Sequence, residues 1–349
     1  MERTSKKPLS AQIRTRANKE VPAEKQYDGN FELMISTGST LLDLAISGKR
    51  KRGGGVPAGI LLEAFGPNGS GKTVLLCELA GSIQRAGGSI MFNDPEARLN
   101  KQFASMFDLD MSSVELHEPD TVTQVIDSIR KWTPSENAVH GIMTDSLAAL
   151  STTMEMDSED GDKMGMRRAK EFSEGLRKIC RVLKQKNYIM ACSNQIRDNA
   201  STMGMGESFS VPGGKAIGYY ASVRLRFHTP EKIRKEKTVG GKTVKKVKGV
   251  KTKVEVYKNS CDAPYRTADL YIDFAYGIDD IRANLQYLKD YGKEKFYHID
   301  GESLGISIET AIEKVESQNL EKKLKDAVIR KWEEIENSFH VERKKKVRV

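Results

Sequence analysis

Cysteine is scarce in this 349-residue sequence, and its spacing excludes the usual cysteine-based sites. No Cys-x-x-Cys pair is present, and no histidine stands at the spacing of a zinc finger. The cysteines are Cys77, Cys180, Cys192 and Cys261. We therefore expect free thiols in a reducing compartment, not a disulfide framework or a structural zinc centre.

Long apolar runs are also missing from the sequence. No stretch approaches the roughly 20 apolar residues that a membrane-spanning helix needs. Residues 1–8 are polar and charged, without the hydrophobic segment of a secretory signal. These two absences predict a cytoplasmic protein that has no membrane partner.

Acidic residues are outnumbered by basic ones, 48 against 57, and the formal net charge is +9. Such an excess favours a nucleic-acid partner when it clusters. It does cluster at residues 232–253, which hold ten Lys or Arg and one acidic residue, Glu236. Gly240-Gly241 in the middle is a hairpin-turn signal. Two interpretations of this segment stay open: an auxiliary electrostatic surface for DNA, or a solvated hairpin.

The strongest motif is a glycine-rich segment between an apolar strand pattern and a helical pattern. Glycines there let backbone N–H groups turn towards an anion, and the helix N-terminus adds its positive end. Lys72 can reach the β- and γ-phosphates of a nucleotide, and the Thr73 hydroxyl can bind Mg²⁺. The motif predicts nucleotide binding by Gly66, Pro67, Asn68, Gly69, Ser70, Gly71, Lys72 and Thr73.

Strand patterns alternate with helical patterns from residue 60 to residue 195. This order predicts an α/β fold, with a mostly parallel central sheet and helices on both faces. After residue 220 three strand patterns follow one another, at residues 220–228, 251–258 and 268–274, so antiparallel strands are expected at one edge. In such folds ligands bind at the carboxyl ends of the parallel strands.

Polar residues at those strand ends are the further candidates for a nucleotide site. Asp145 is the predicted Mg²⁺ carboxylate, and Glu96 is placed to activate a water for attack on the γ-phosphate. Gln195 could hydrogen-bond the γ-phosphate, and Phe103 could stack on adenine. Each has an ordinary alternative: a helix cap, a surface glutamate, a structural amide and a core aromatic residue.

Eight motifs in order give the sequence a specific resemblance. They are I-S-T-G-S-x-x-L-D (35–43), G-P-N-G-S-G-K-T (66–73), D-P-E-A (94–97), T-D-S-L-A-A-L (144–150), M-G (164–165), N-Q-I-R (194–197), G-G-K-A-I-G-Y-Y-A-S-V-R-L (213–225) and K-N-x-x-x-A-P-Y (258–265). Across residues 30–280 the chain strongly resembles bacterial RecA recombinases or a phage-encoded relative.

The resemblance implies a RecA-like P-loop ATPase core with ATP and Mg²⁺ as cofactors. It assigns catalytic roles to Lys72, Glu96 and Gln195, and it implies that ATP lies between neighbouring protomers of a helical filament. Lys258 would then contact the nucleotide across that interface. Ser260 stands where the family carries a second interface lysine, so one contact to the γ-phosphate is missing or replaced.

The resemblance also implies two DNA-facing loops, at residues 157–168 and 198–214. The second loop holds methionines and Phe209 but no Lys or Arg, a composition that suits base stacking. The implied partners are single-stranded DNA and homologous duplex DNA. The predicted DNA-binding residues are Met164, Arg167, Arg168, Arg177, Arg197, Met203, Gly213, Gly214 and Lys215.

The chain length predicts more than one domain. We expect a basic N-terminal segment at 1–30 that could serve in polymerisation, and the ATPase core at 31–278. A small helical C-terminal domain is expected at 279–340, before a basic tail at 341–349.

The functional hypothesis is an ATP-dependent DNA recombinase. It would form filaments on single-stranded DNA and catalyse homologous pairing and strand exchange. Two alternatives stay open: a hexameric helicase or motor with the same fold, and an ATP-binding recombination mediator that barely hydrolyses ATP. Ser260 is the best sequence argument for the mediator.

Overall fold

A computed structural model describes residues 33–48, 54–99, 103–104, 106–107, 109–134, 138–151, 164–198, 209–210 and 215–339. The chain divides into two units, Met1–Asn30 and Phe31–Val349. The first unit lies outside the described residues, and every element below belongs to the second. The domain boundaries expected at residues 278 and 340 stay predictions.

The strands fall into one large sheet and three small ones within the described ranges. In chain order they are β1 (Met34–Ile35), β2 (Val56–Pro57), β3 (Leu61–Gly66), β4 (Ile90–Asn93), β5 (Val114–His117), β6 (His140–Thr144), β7 (Tyr188–Gln195), β8 (Arg197–Asp198), β9 (Phe209–Ser210), β10 (Val223–Phe227), β11 (Glu231–Val239), β12 (Lys242–Asn259), β13 (Thr267–Asp273), β14 (Gly277–Ile278), β15 (Tyr297–Ile299) and β16 (Glu302–Gly305). The small sheets pair β1 with β2, β8 with β9, and β15 with β16.

The large sheet confirms the predicted fold class. Its order is β14-β13-β12-β10-β3-β7-β6-β4-β5, and β11 pairs with β12. The six neighbouring strands β10, β3, β7, β6, β4 and β5 are parallel to one another. The strands β11, β12, β13 and β14 are antiparallel to their neighbours. Parallel strands end at one edge, so β3, β7, β6 and β4 deliver their last residues side by side.

Helices lie on both faces of this sheet. In chain order the helices of the described residues are α1 (Thr40–Ser47), α2 (Lys72–Arg85), α3 (Val122–Lys131), α4 (Met164–Gln185), α5 (Lys215–Tyr220), α6 (Asp280–Tyr291), α7 (Ile308–Ser317) and α8 (Glu321–Ser338). Local sequence signals set some of their starts. Ser39 caps α1, and Thr121 and Gln124 form a capping box at α3.

The core lies on the two sides of the central strands. Alternate strand residues point to opposite faces, and in β3 Leu62 belongs to the same apolar cluster as the α2 residues Leu75 and Leu76. Leu61, its neighbour in the chain, belongs instead to the cluster that contains the buried residues of α3 and α4. The central strands are therefore buried on both faces, which explains their continuous apolar sequence.

The lysine-rich segment is itself β-structure. β11 and β12 form a hairpin whose two-residue loop is Gly240-Gly241, with φ values of 58° and 75°. Positive φ at both central residues suits the right-handed twist of a tight hairpin, so the predicted turn is correct. The sequence patterns placed the second strand at residues 251–258, whereas β12 begins at Lys242.

The last part of the described chain is mainly helical, as the sequence predicts. α6, α7 and α8 contribute buried side chains to the same apolar cluster as α1 and α2. The β15–β16 hairpin within this region was not predicted. Among the described residues, no helix is both long and apolar enough to cross a membrane.

Candidate nucleotide site

The glycine loop joins the end of β3 to the start of α2, the context that the motif requires. At two positions of the loop the surroundings leave room only for glycine. Gly66 has φ 155°, and a Cβ there would lie 2.4 Å from the carbonyl oxygen of Phe227. Gly71 has φ 98°, and a Cβ there would lie 2.2 Å from Cδ1 of Ile272. Side chains are therefore excluded at both ends of the loop.

Lys72, the first residue of α2, folds back over the start of this loop. Its Nζ donates hydrogen bonds to the carbonyl oxygens of Gly66 (3.0 Å) and Pro67 (2.7 Å), and the residue is only 8% exposed. Burial lowers the pKa of Lys72, while the carboxylates of Asp145 and Glu96 oppose that shift. The loop thus carries a desolvated cation close to two acidic groups.

Asp145 follows the last residue of β6 and ties three elements together. Its Oδ2 accepts a hydrogen bond from the Thr73 hydroxyl at 2.5 Å, and its Oδ1 accepts one from the Ser193 hydroxyl on β7. Burial raises the pKa of Asp145, and these hydrogen bonds limit the rise. The contact brings together the two residues predicted to bind Mg²⁺.

These oxygens fit a hard divalent cation. Mg²⁺ binds carboxylate and hydroxyl oxygens and keeps several waters, so it does not need a cage of protein ligands. In the described ranges no group of three or more His, Cys, Asp or Glu residues forms such a cage. A hydroxyl and one carboxylate beside a phosphate-binding loop match a Mg²⁺ site in which water supplies most of the ligands.

Glu96 lies beyond the end of β4, the strand next to β6. Its Oε1 accepts a hydrogen bond from the Ser146 hydroxyl at 2.8 Å, and its Oε2 pairs with Arg98 at 2.6 Å. The side chain is 17% exposed. Asp94, just before it, is almost fully buried and accepts a hydrogen bond from the backbone N–H of Leu99. The carboxylate of Glu96 is thus oriented, yet open to water.

Gln195 is the last residue of β7 and lies in register with Gly66. Its backbone N–H donates to Oδ1 of Asn194 at 3.1 Å. The amide of Asn194 in turn donates to the fully buried carboxylate of Glu63 at 3.2 Å. The predicted γ-phosphate contact therefore stands on a buried polar network.

Arg224 completes that network from β10. Its Nε donates to Oε2 of Glu63 at 2.6 Å, and its guanidinium lies over the Phe65 ring, 4.5 Å from the centroid. A buried ion pair needs such additional contacts, because both charges lose their water. Sequence reasoning missed this network. The sequence pattern that could have indicated it is the charged residue Glu63 inside the apolar run 60–65.

Phe103 packs against Phe107, with ring centroids 5.0 Å apart and an interplanar angle of 68°. The ring is partly buried against the apolar core. Stacking on adenine stays a prediction for this residue.

Similarity to known proteins identifies the family. The family model of the RecA N-terminal domain matches residues 23–279. The RecA protein of Borrelia duttonii is 31% identical over 351 aligned residues, which cover 93% of each chain. The chain belongs to the RecA family. The RecA protein of Delftia acidovorans is 33% identical, covering 78% of this chain and 71% of its own. That of Thermus aquaticus is 35% identical, with 71% and 69% covered.

Among solved structures, the crystal structure of the RadB recombinase aligns with a TM-score of 0.48 at 21% identity, over 70% of this chain and 98% of that one. Membership of the RecA family confirms the resemblance read from the motifs. Recombinase function, nucleotide binding and DNA-dependent ATPase activity follow at the level of the family.

Lys258 is the predicted interface lysine of this RecA-family protein, and among the described residues its contacts are with β10 and α5, not with the glycine loop. It pairs with Arg224 across β12 and β10, at the level of Glu63 in the sheet. Its Nζ donates to the carbonyl oxygens of Gly218 (3.0 Å) and Tyr219 (2.9 Å). Burial and then the charge of Arg224 lower the pKa of Lys258. Its contact with nucleotide across an interface stays a prediction.

The predicted DNA-binding residues lie mostly at the borders of the described ranges. Arg197 is on β8, opposite Ser210 on β9, and Lys215 is the first residue of α5. Arg177 is exposed on α4. The first turns of α4 contain Met164, Arg167 and Arg168. Met203, Gly213, Gly214 and most of both DNA-facing loops lie outside the described residues.

Proposed function

We propose that this RecA-family recombinase binds ATP and Mg²⁺ at the carboxyl edge of its parallel strands. ATP binding would drive filament formation on single-stranded DNA, and the filament would pair and exchange strands with homologous duplex DNA. One observation carries the proposal: Lys72 and Thr73 at the start of α2 meet Asp145, which follows β6, and Glu96, which follows β4, around one glycine loop.

The loop and the start of α2 would bind the phosphates. The free N–H groups of the first helical turn and the Lys72 ammonium supply positive charge in a partly desolvated place, where it acts strongly. Thr73 and Asp145 would hold Mg²⁺, and bound Mg²⁺ supplies neutralisation of charge on the phosphate oxygens. A nearby cation would also favour the ionised form of Asp145, against the effect of burial.

Glu96 is the proposed general base. Its carboxylate would take a proton from the water that attacks the γ-phosphate. The Ser146 hydroxyl and the Arg98 guanidinium hold it in a fixed direction. A general base typically contributes about 10²–10⁴-fold to a rate.

Gln195 is the proposed link between nucleotide and DNA. It stands beside Gly66 at the strand edge, and β8, with Arg197, follows after one residue. A hydrogen bond from its side-chain amide to the γ-phosphate would fix the start of the segment 198–214. The buried pair Glu63–Arg224 gives this position a rigid support.

ATP hydrolysis by the purified chain, with and without single-stranded DNA, tests this function. We expect stimulation by DNA in the unmodified protein. Glu96→Gln should slow hydrolysis by about 10²–10⁴-fold but keep nucleotide binding and filaments, because only the base is lost. Loss of nucleotide binding in Glu96→Gln would show that Glu96 is structural. ATP binding without stimulated hydrolysis in the unmodified chain would favour the mediator that Ser260 suggests.

A further inference from the structure

The distal part of the β11–β12 hairpin, residues 234–247, extends beyond the rest of the sheet. We call it the ribbon. The last pair that β12 makes with β13 is Gly249 with Asp273, so the ribbon has no strand beside it among the described residues. Residues 236–246 are all exposed. The ribbon therefore contributes nothing to the core.

Strand register separates the ribbon into two unlike faces, because directly opposed residues share a face. One face, the lysine face, carries the opposed pairs Lys235–Lys246, Lys237–Val244 and Val239–Lys242. The other, the mixed face, carries Arg234–Val247, Glu236–Lys245 and Thr238–Thr243. The lysine face thus bears four cations and no acid, whereas the mixed face bears two cations and one acid.

The two faces also differ in charge compensation. On the mixed face Lys245 pairs with Glu236 at 2.7 Å. Within the described ranges, no carboxylate lies at ion-pair distance from the four cations of the lysine face. At the base of the hairpin, by contrast, Lys251 is bound to Asp269 at 2.9 Å. Among the described residues, the lysine face therefore carries four cations without an ion pair and the mixed face one, Arg234, although the charge of Lys235 does reach Glu309 on α7.

This arrangement is unfavourable for the hairpin itself. Lys235 lies directly opposite Lys246, and like charges in that position destabilise a strand pair. Lysines spread over both faces would keep the hairpin equally soluble, so solubility does not explain why they lie on one face. One-sided, unpaired cations are the arrangement expected of a surface that meets a polyanion.

The dimensions of the lysine face suit duplex DNA. From Lys242 to Lys246 the strand covers about 14 Å. Over that length B-DNA presents about eight phosphate charges, at one per roughly 1.7 Å. A two-stranded ribbon is also narrow enough to enter the major groove, which is about 12 Å wide. Single strands offer about half this charge density.

We propose that the lysine face is a docking surface for double-stranded DNA, held through phosphate contacts without sequence preference. The proposal rests on the proposed function in one respect, that duplex DNA is the second substrate of strand exchange. In the chain, the residues of this surface are distinct from those of the nucleotide site and from both predicted DNA-facing loops. It would keep a duplex close to the filament while homology is sampled.

The salt dependence of duplex binding tests the proposal. Each phosphate contact contributes about 0.9 to the slope of log K against log salt. In the full chain, Lys237→Gln, Lys242→Gln and Lys246→Gln together should lower the slope by about 2.7. Equivalently, these contacts account for about a 40-fold change in affinity between 50 and 200 mM salt. Fluorescence anisotropy of a labelled duplex of arbitrary sequence measures this directly.

A matched control removes the same charge from the opposite side of the hairpin. Lys232→Gln, Arg234→Gln and Lys245→Gln together should change the slope by well under about one unit. The charge-preserving triple Lys237→Arg, Lys242→Arg and Lys246→Arg should keep the parental slope. Equal slopes in the parent and the lysine-face triple would overturn the proposal. Equal losses in the two Gln triples would also overturn it, because net charge alone would then explain binding.

Two further readouts complete the test. Lys246→Gln alone removes the opposed pair with Lys235, so its melting temperature should equal or exceed that of the parent. Anisotropy needs no ATP hydrolysis, so a failure of the proposed function appears separately, as absent DNA-stimulated hydrolysis by the unmodified chain. If the lysine-face triple lost affinity for single strands only, duplex DNA would be the wrong partner for this surface.

Discussion

The nucleotide site and the ribbon both rely on lysine, but they place it in opposite surroundings. Lys72 is 8% exposed, holds two loop carbonyls and lies near two carboxylates. The ribbon lysines project from an exposed hairpin, and four of them share a face without an acid. In the site one cation has a fixed direction, whereas on the ribbon several exposed cations share one face.

This difference predicts different responses to change. A partly buried charge acts in a medium of low effective dielectric constant, so its removal has a large local effect. An exposed charge is screened by salt within about 10 Å, and its removal changes binding by a small, additive amount. A single substitution in the nucleotide site should therefore abolish activity, whereas only combined substitutions on the ribbon should weaken DNA binding strongly.

The largest expected contrast is between two lysines. Lys72→Ala should reduce ATP hydrolysis by about a thousandfold or more, because the phosphates lose their close cation. Lys245→Ala should stay within about twofold of the parent, since its exposed pair with Glu236 contributes less than about 1 kcal/mol. A steady-state hydrolysis assay on single-stranded DNA compares them. Wild-type-like turnover by Lys72→Ala would contradict the assignment of the loop.

A second contrast sets a buried ion pair against an exposed one. Glu63→Gln should lower the free energy of unfolding by about 3–5 kcal/mol, because Arg224 is left with an unpaired charge. Glu236→Gln removes the partner of Lys245 and should cost less than about 1 kcal/mol. Urea denaturation measures both values. Equal costs would show that burial does not distinguish these pairs.

The smallest of the three contrasts is between the pH dependence of stability with the buried carboxylate of Asp43 and without it. Asp43 on α1 is almost fully buried, and burial raises its pKa to about 6, although hydrogen bonds from Ser36 and Thr37 oppose the rise. A raised pKa in the folded state favours the protonated form. The resulting stability is present below about pH 4 and is lost as the pH rises through 6. The loss amounts to about 3 kcal/mol.

Asp43→Asn should therefore flatten the pH dependence of the free energy of unfolding between about pH 4 and pH 6. Denaturation at several pH values, for the parent and the variant, gives the difference directly. Asp280, which is half-buried and also has a raised pKa, keeps its own contribution in both proteins. Parallel curves for the two proteins would show that Asp43 is ionised in the fold throughout this range.

The sequence predicted those parts of the site that depend on local order. The glycine loop and the strand-end residues Glu96, Asp145 and Gln195 follow from patterns of a few residues each. Their meeting at one edge follows from the parallel sheet. The pair Glu63–Arg224 depends instead on the register of β3 with β10, between residues far apart in the chain. No local pattern contains that register.

The ribbon shows the same limit. Gly240-Gly241 predicted its turn, because glycine adopts positive φ at two successive residues without strain. The separation of its cations into two faces depends on the pairing of Lys235 with Lys246, which only the structure supplies. Charge composition suggested a partner, and register shows which lysines would meet it.

Electron microscopy of the full chain on single-stranded DNA tests the central claim most directly. The comparison is between samples with Mg²⁺ and a non-hydrolysable ATP analogue and samples without nucleotide. If the carboxyl-edge site binds ATP to drive filament formation, continuous helical filaments form with the analogue and are absent or sparse without it. Closed rings, or DNA coating that is indifferent to nucleotide, would contradict the account.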